Sequence, residues 1–283
     1  MGKRMMSLDP RTNPYRADLA AKHLQGQVEA NHFVDGTRQQ VIEPIADVRH
    51  APAHEAPLDT QALLGETVTV YETTDEGWAW GQCESDGYVG WFSANALGAL
   101  GPAATHKVCV PRTFGFPGVD IKLPPMIALP MGAKLAIVKQ SGRFALNAFG
   151  WHFPAAHLMP LTAKQPDFVA VAESLLGAPY LWGGKTSLGI DCSGLVQIAL
   201  QSAGIECPRD SDMQESALGK PSSLDALQRG DLIFWKRHVA IVRDAASIIH
   251  ANAHHMMVAI EPVAEALARI KAAGSDVTSV RRL

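Results

Sequence analysis

Residues 189–197 read Gly-Ile-Asp-Cys-Ser-Gly-Leu-Val-Gln, and this stretch decides the interpretation of the chain. Its apolar continuation predicts a helix over 191–203, with Cys192 in the first turn. The positive end of a helix favours thiolate over thiol, so we expect a lowered pKa and a nucleophilic sulfur there. A lone cysteine is more often a small buried apolar residue. Here, however, the small neighbours Ser193 and Gly194 leave room for a substrate carbonyl.

A cysteine nucleophile needs a base, and the base needs an orienting partner. Residues 229–235, Arg-Gly-Asp-Leu-Ile-Phe-Trp, predict a turn into a strand, and His238 begins the next predicted strand. His250 follows on a third strand, so a hairpin can place the two imidazoles side by side. An ordinary histidine, with a pKa of about 6.5, can accept a thiol proton near neutral pH. Asn252 is the alternative orienting residue.

The rest of the C-terminal part predicts an α+β arrangement, because helices are followed by several strands. Asp167 is the expected N-cap of a helix that runs to Leu176, and a last helix is expected over 263–273. The strands are predicted over 231–235, 238–242, 247–251 and 258–262.

The middle of the chain, 36–162, has short alternating apolar runs between Gly, Pro and Asp clusters, which predicts small all-β barrels. The runs lie at 67–71, 77–83, 87–92, 135–139 and 143–148. The order of motifs after Gly65 is repeated more weakly after Gly132, so we expect two related units, 36–100 and 101–162. The first unit resembles the bacterial Src-homology-three-like barrels. Residues 1–35 are polar and periodic only over 17–24, which predicts a short helix or an ordered arm.

Composition excludes several classes of protein. The 283 residues carry a net charge of −3, so neither nucleic acid nor an anionic membrane is an expected partner. The four cysteines form no CxxC pair, so we expect reduced thiols rather than a zinc or dithiol site. No apolar stretch follows Lys3 and Arg4 as a signal peptide requires, which predicts a soluble, cytoplasmic protein. A signal removed before residue 1 would leave the same sequence.

Four motifs of the last part, covering 163–283, resemble the NlpC family of papain-like cell-wall peptidases. They are, in order, Asp-Cys-Ser-Gly-Leu-Val-Gln, Arg-Gly-Asp-Leu-Ile-Phe-Trp, His-Val-Ala-Ile-Val and Ile-Ile-His-Ala. The resemblance implies a papain-like domain that cleaves murein peptides, typically between D-glutamate and diaminopimelate or lysine. It implies that Cys192 is the nucleophile, His238 the base and His250 the third polar residue. Tyr180, in Pro-Tyr-Leu-Trp-Gly-Gly, would help to hold the oxyanion.

Members of this family with barrels ahead of the peptidase domain resemble enzymes that require a free amino terminus on the L-alanine of the substrate. Asp210 would then bind the ammonium group, with Tyr88 and Glu55 of the first barrel as candidate helpers. Taken alone, residues of these types are more often structural, Tyr88 as a strand aromatic and Glu55 as a solvated loop charge. Asp191, Ser193 and Trp182 complete the candidate substrate contacts.

No metal or other cofactor is expected. His254 and His255 are adjacent, and adjacent residues of a strand point to opposite faces. Two other functions compete with the peptidase: a wall-binding protein with an inactive peptidase domain, and an amidase or acyltransferase on the same scaffold. Relatives with lipid chemistry are permuted, with His ahead of Cys, whereas Cys192 precedes His238. The oligomeric state, the diamino acid, and the choice between intact wall and free peptide stay open.

Overall fold

The computed structural model describes residues 8–283. Lys3 and Arg4, which no apolar stretch of the signal-peptide kind follows, lie outside these residues. Among the described residues, no helix combines the length and the apolar character that crossing a membrane requires.

The first described residues form an arm on the surface of the first barrel. Strand β1 (Leu19–Ala21) pairs in parallel with β2 (His32–Val34), and a short 3-10 helix, Lys22–Leu24, follows β1. Of the two alternatives expected for residues 1–35, a short helix or an ordered arm, the described residues form the arm. Eight periodic residues are too few to sustain an α-helix without tertiary support. The backbone of the arm is held by Val89, whose N–H donates to Arg11 O over 2.8 Å.

The first barrel is a seven-stranded antiparallel sheet with the order β5-β4-β8-β7-β6-β3-β9. Its strands are β3 (Thr37–Val41), β4 (Ile45–Arg49), β5 (Leu58–Leu63), β6 (Thr67–Thr73), β7 (Trp78–Cys83), β8 (Val89–Ser93) and β9 (Leu97–Gly98). Alternate residues point to opposite faces of a strand. Accordingly Ala79 packs in the barrel core with Val68 and Phe92, whereas Trp78 and Trp80 pack on the other face, where the arm lies.

The second β unit has its own core but divides its strands among three small sheets. The strands are β10 (His106–Val108), β11 (Arg112–Gly115), β12 (Ile127–Pro130), β13 (Lys134–Leu135), β14 (Ile137–Ser141), β15 (Phe144–Asn147), β16 (His152–Pro154) and β17 (Leu158–Pro160). One pairing repeats the first barrel: β10 lies between β13 and β17, as β3 lies between β6 and β9. In both units a 3-10 turn leads into the last of these strands.

The C-terminal domain is built on a six-stranded antiparallel sheet with the order β20-β25-β21-β22-β23-β24. Its helices are α1 (Phe168–Glu173), α2 (Cys192–Ser202), α3 (Ser211–Ala217) and α4 (Val263–Ala272). Its strands are β18 (Lys185–Thr186), β19 (Gly189–Ile190), β20 (Lys220–Ser222), β21 (Leu232–Trp235), β22 (His238–Asp244), β23 (Ser247–Asn252), β24 (Met257–Pro262) and β25 (Val277–Arg282). The expected α+β arrangement is confirmed.

The two faces of this sheet have different neighbours, and the arrangement places α2 beside the histidine strands. Leu232 and Phe234 pack in the core cluster that contains Leu195 of α2. Ile233 and Trp235, one residue out of phase, pack in a second cluster with residues of α4. The first turn of α2 therefore lies next to the start of β22, where His238 is found.

One helix ends clearly earlier than the sequence predicted, and one helix was not predicted. Asp167 caps α1 as expected, since its side chain accepts from the N–H groups of Val169 and Ala170. The helix ends at Glu173, earlier than predicted. Asp210 leads directly into α3, a helix that was not predicted from the sequence, although Asp and Ser are ordinary N-terminal residues of a helix.

Candidate active site

The start of α2 is held by the carboxylate of Asp191. Asp191 Oδ1 accepts from Gly194 N over 2.7 Å, and Oδ2 accepts from Gly183 N over 2.8 Å. Gly194 has no room for a side chain, because a Cβ there would come within 2.4 Å of Gly184 O. Cys192 is thereby fixed in the first turn of the helix, as the sequence predicted.

A buried arginine that sequence reasoning missed supports this helix start. Arg209 donates to both carboxylate oxygens of Asp191, at 2.9 and 2.8 Å, and to Ser193 Oγ at 2.8 Å. Its Nε donates to Thr60 Oγ1 of the first barrel over 2.8 Å. Burial lowers the pKa of Arg209, but the charge of Asp191 and its hydrogen bonds outweigh burial, so the net shift is upward. Asp191 and Ser193 both line the pocket over Cys192, and their side-chain oxygens also hold the start of α2 through Gly194 and Arg209.

The hairpin of β22 and β23 brings the two histidines together. His238 Nε2 lies 2.9 Å from His250 Nδ1, and the ring centroids are 5.1 Å apart. The alternative orienting residue does not reach His238: Asn252 Oδ1 accepts from the backbone N–H of His255 over 2.8 Å and faces the following turn. The geometry therefore favours His250 as the partner of His238.

Burial dominates the protonation of the cysteine and histidines. It raises the pKa of Cys192 to about 12, with the charge of Asp191 adding to the effect, while the backbone N–H of Val239 acts in the opposite direction. The expectation of a lowered thiol pKa is therefore wrong for the free enzyme, because desolvation outweighs the field of the helix. Burial also lowers the pKa of His238 to about 3 and that of His250 to about 3. Burial therefore favours the neutral thiol of Cys192 and the neutral imidazoles of His238 and His250.

Tyr180 approaches this pair from the segment before α2. Its backbone bridges to Ile190, directly before the cap of α2. Burial raises the pKa of Tyr180 to about 12, and the charges of Cys192 and Asp191 add to this effect. Its hydroxyl is therefore a hydrogen-bond donor throughout the physiological pH range.

A pocket of about 550 Å³ opens over Cys192 between the arm, the first barrel and the peptidase domain. At one end the Tyr88 hydroxyl donates to Asp210 Oδ2 over 3.1 Å, and Arg11 Nη1 of the arm donates to the same oxygen over 2.8 Å. Asp59, which sequence reasoning missed, also lines this end. Burial raises the pKa of both Asp59 and Asp210.

Trp182 and Glu55 were also predicted to contact the substrate, and only one of them lines the pocket. Trp182 lines the pocket and is 57% exposed. Glu55 does not line the pocket and is exposed on the loop between β4 and β5. The structure does not place Glu55 at the pocket. The carboxylate that lines it is Asp59 of β5, next to Thr60, which accepts a hydrogen bond from Arg209 of the peptidase domain.

A group of potential metal ligands lies behind the histidine pair. His250, His255 and Glu261 offer ligand atoms within 4.8 Å of one another. The prediction that His254 and His255 point to opposite faces of a strand was wrong, since both lie in the turn between β23 and β24. Arg269 donates to both oxygens of Glu261, and a guanidinium so placed opposes a divalent cation.

A cysteine at a helix start beside a histidine pair, on this α+β scaffold, is the arrangement of a thiol peptidase. Two family models match the chain: the bacterial dipeptidyl-peptidase Sh3 domain over residues 48–97, and the NlpC/P60 family over residues 177–273. A probable endopeptidase of Corynebacterium glutamicum is 31% identical over 173 residues, which span 56% of this chain and 80% of the relative. The chain belongs to the NlpC/P60 family and is a cysteine peptidase.

Two further comparisons extend the likeness over more of the chain. A gamma-D-glutamyl-L-lysine dipeptidyl-peptidase of Bacillus subtilis is 28% identical over 222 residues, which span 69% of this chain and 72% of the relative. The crystal structure of an NlpC/P60 family protein from Bacillus cereus has a TM-score of 0.73 at 21% identity, and the match covers 87% of this chain and 99% of the other. The fold thus extends across the N-terminal domains as well as the peptidase domain.

Proposed function

We propose that the protein hydrolyses the bond between γ-D-glutamate and the diamino acid of murein peptides that carry a free N-terminal L-alanine. The observation that carries the proposal is the pair of carboxylates, Asp59 and Asp210, at the end of the pocket that contains Cys192. The name of the Bacillus subtilis relative, a gamma-D-glutamyl-L-lysine dipeptidyl-peptidase, supports the same bond.

The ammonium group of L-alanine fits the carboxylate end of the pocket. Burial raises the pKa of Asp59 and Asp210 because their charges are poorly solvated, and the charge of Asp210 raises the pKa of Asp59 further. A bound cation relieves both effects. Asp210 Oδ2 already accepts from Tyr88 and Arg11, while Oδ1 accepts no hydrogen bond from residues 8–283. We assign Oδ1 to the ammonium group.

The chemical steps follow from the side chains around the sulfur. Cys192 Sγ attacks the γ-carbonyl carbon, and its proton passes to His238 as the S–C bond forms. The hydroxyl of Tyr180 and backbone N–H groups at the start of α2 hold the oxyanion. His238 then gives the proton to the departing amine of the diamino acid. Water hydrolyses the thioester to release L-alanyl-D-glutamate and regenerate the thiol.

The free amine also defines where the substrate comes from. In the wall polymer the L-alanine nitrogen is acylated by the muramyl group, so a pocket that binds an ammonium ion selects released fragments. We therefore propose a role in recycling such fragments, in the cytoplasm. Fractionation of cells that express the full-length protein tests the location.

We further propose that residues 101–162 are a divergent second Src-homology-three-like barrel. The repeated pairing of β10 with β13 and β17 supports a duplication of the first barrel. Gly65 lies just before β6 and Gly132 just before β13, and their φ values are positive, 81° and 90°. Both units therefore have the same kind of turn ahead of these corresponding strands.

The direct test is incubation of the purified chain with L-Ala-γ-D-Glu-meso-diaminopimelate and with its lysine analogue, with the products identified by mass spectrometry. We expect the dipeptide L-alanyl-D-glutamate and the free diamino acid, and neither product with Cys192→Ala. Cleavage between L-alanine and D-glutamate, or no cleavage of either peptide, would contradict the proposal.

A further inference from the structure

A line of buried polar side chains continues from the histidine pair towards α4. His250 Nε2 lies 3.3 Å from Glu261 Oε2. Arg269 Nη2 of α4 donates to Glu261 Oε1 and Oε2 over 2.8 and 2.9 Å. Glu261 lies on β24 in register with Ile248 of β23, and it is 7% exposed. Neither Glu261 nor Arg269 belongs to the motifs that indicate the thiol chemistry.

We propose that Glu261 is a positioning residue whose carboxylate accepts the Nε2–H of His250 and so fixes the tautomer of that imidazole. An ionised carboxylate can only accept hydrogen bonds. His250 Nδ1 is then an acceptor for His238 Nε2–H, across the 2.9 Å contact. The remaining nitrogen of His238, Nδ1, carries no proton and is free to take the one from Cys192. The predicted effects on kcat rest on the proposed function, whereas the tautomer of His250 does not.

The charge of Glu261 acts on the base as well. Burial is the largest cause of the lowered pKa of His238, and the charges of His250 and Arg269 lower it further, whereas Glu261 raises it. The imidazolium that forms when His238 takes the thiol proton is therefore stabilised by the carboxylate beyond His250. His254 and His255 also face His250, and both lower its pKa.

A purely structural role for Glu261, as the partner of Arg269, is the competing explanation. Asp231 provides a matched control, because it is a buried carboxylate of the same domain, located just before β21. Arg282 donates to both of its oxygens, at 2.8 and 2.7 Å. Asp231 makes no hydrogen bond to either histidine within residues 8–283.

The experiment measures the tautomer of His250 directly, by long-range ¹H–¹⁵N spectra of the ¹⁵N-histidine-labelled full chain. The His250→Gln variant assigns the signals. Glu261→Met removes the acceptor at similar size, Glu261→Gln retains an acceptor oxygen, and Asp231→Asn is the control. Each variant is also assayed for kcat and for the rate at which iodoacetamide alkylates Cys192.

We expect His250 to be protonated on Nε2 alone in the wild type and in Glu261→Gln, and to populate both tautomers in Glu261→Met. The kcat of Glu261→Met should fall about 10- to 100-fold, by analogy with the outer-shell groups that orient metal-bound histidines. Glu261→Gln should recover most of that loss, and Asp231→Asn should leave tautomer and kcat unchanged.

The inference is overturned by a wild-type His250 that carries its proton on Nδ1, a result that requires no folded variant. It is also overturned if Glu261→Met keeps the wild-type tautomer, or if Asp231→Asn loses as much kcat. A wild-type enzyme that shows the Nε2 tautomer and alkylation at Cys192 but leaves murein peptides intact would contradict the proposed function and support the positioning role.

Discussion

The hydroxyl of Tyr88, in the first barrel, donates a 3.1 Å hydrogen bond to Asp210 in the peptidase domain. The contact lies inside the pocket that contains Cys192, and Arg11 of the arm meets the same carboxylate oxygen. Three parts of the chain therefore form one end of the candidate substrate site. The proposed selection for a free amine is a property of their interface, not of the peptidase domain alone.

The first prediction concerns the nucleophile. Cys192→Ala should abolish turnover and leave the fold intact, because only a sulfur atom is removed. Cys83→Ala and Cys109→Ala should retain activity, since both residues lie in the β units rather than beside the histidines. Peptide hydrolysis and circular dichroism of the three variants check this, and comparable losses in all three would mean that the thiols act structurally.

The second prediction separates the base from its orienting partner. His238→Ala should be nearly as damaging as loss of Cys192, because it removes the proton acceptor. His250→Gln should cost less, since an orienting residue sets tautomer and position without moving the proton itself. Asn252→Ala should cost less than either, because Asn252 contacts His255 rather than His238. Steady-state kinetics that rank Asn252→Ala as worse than His250→Gln would exchange the two roles.

The third prediction concerns stability at the start of α2. Asp191→Ala should lower the free energy of unfolding by about 3–5 kcal/mol, because it leaves the buried charge of Arg209 without its partner. Glu84→Ala breaks the solvent-exposed ion pair with Arg38 and should change the free energy of unfolding little. Denaturant unfolding of both variants provides the measurement, and equal effects would remove the structural role assigned to Arg209.

The fourth prediction is a dependence of stability on pH. Burial lowers the pKa of His238 and of His250 to about 3 in the folded protein, against about 6.5 for a solvated histidine. Their neutral forms therefore stabilise the fold fully above pH 6.5, and this contribution is lost as the pH falls towards 3. Thermal melting between pH 4 and pH 8 should show a shallower decline for His250→Gln than for the wild type. The exposed His23→Gln is the control, and identical slopes in all three would refute the assignment.

The chemistry of the site could be predicted from the sequence wherever it depends on short segments. The cap, cysteine and helix of α2 follow one another within a dozen residues, so local periodicity was sufficient. The spacing of His238 and His250 matches a hairpin, and their contact follows from strand pairing. The helix boundaries were less accurate, since α1 ends at Glu173 and not at Leu176, the end that its apolar run predicted.

The residues that were missed depend on contacts between distant segments. Arg209 reaches Thr60 across 149 residues of sequence, and nothing in a polar segment that reads Pro-Arg-Asp-Ser indicates a buried guanidinium. Asp59 and Glu55 are equally plausible carboxylates until the orientation of β5 is known. The protonation of Cys192 was misjudged for a related reason: the helix start is visible in the sequence, whereas the burial that outweighs it is not.

The measurement that tests the central claim most directly compares kcat/KM for L-Ala-γ-D-Glu-meso-diaminopimelate with that for its N-acetylated form. We expect cleavage of the free peptide and none of the acetylated one, because acetylation removes the charge that Asp210 binds. Asp210→Asn should lower kcat/KM for the free peptide roughly tenfold or more, the scale of a lost charge-assisted hydrogen bond. Efficient cleavage of the N-acetylated peptide by the wild type would contradict the account.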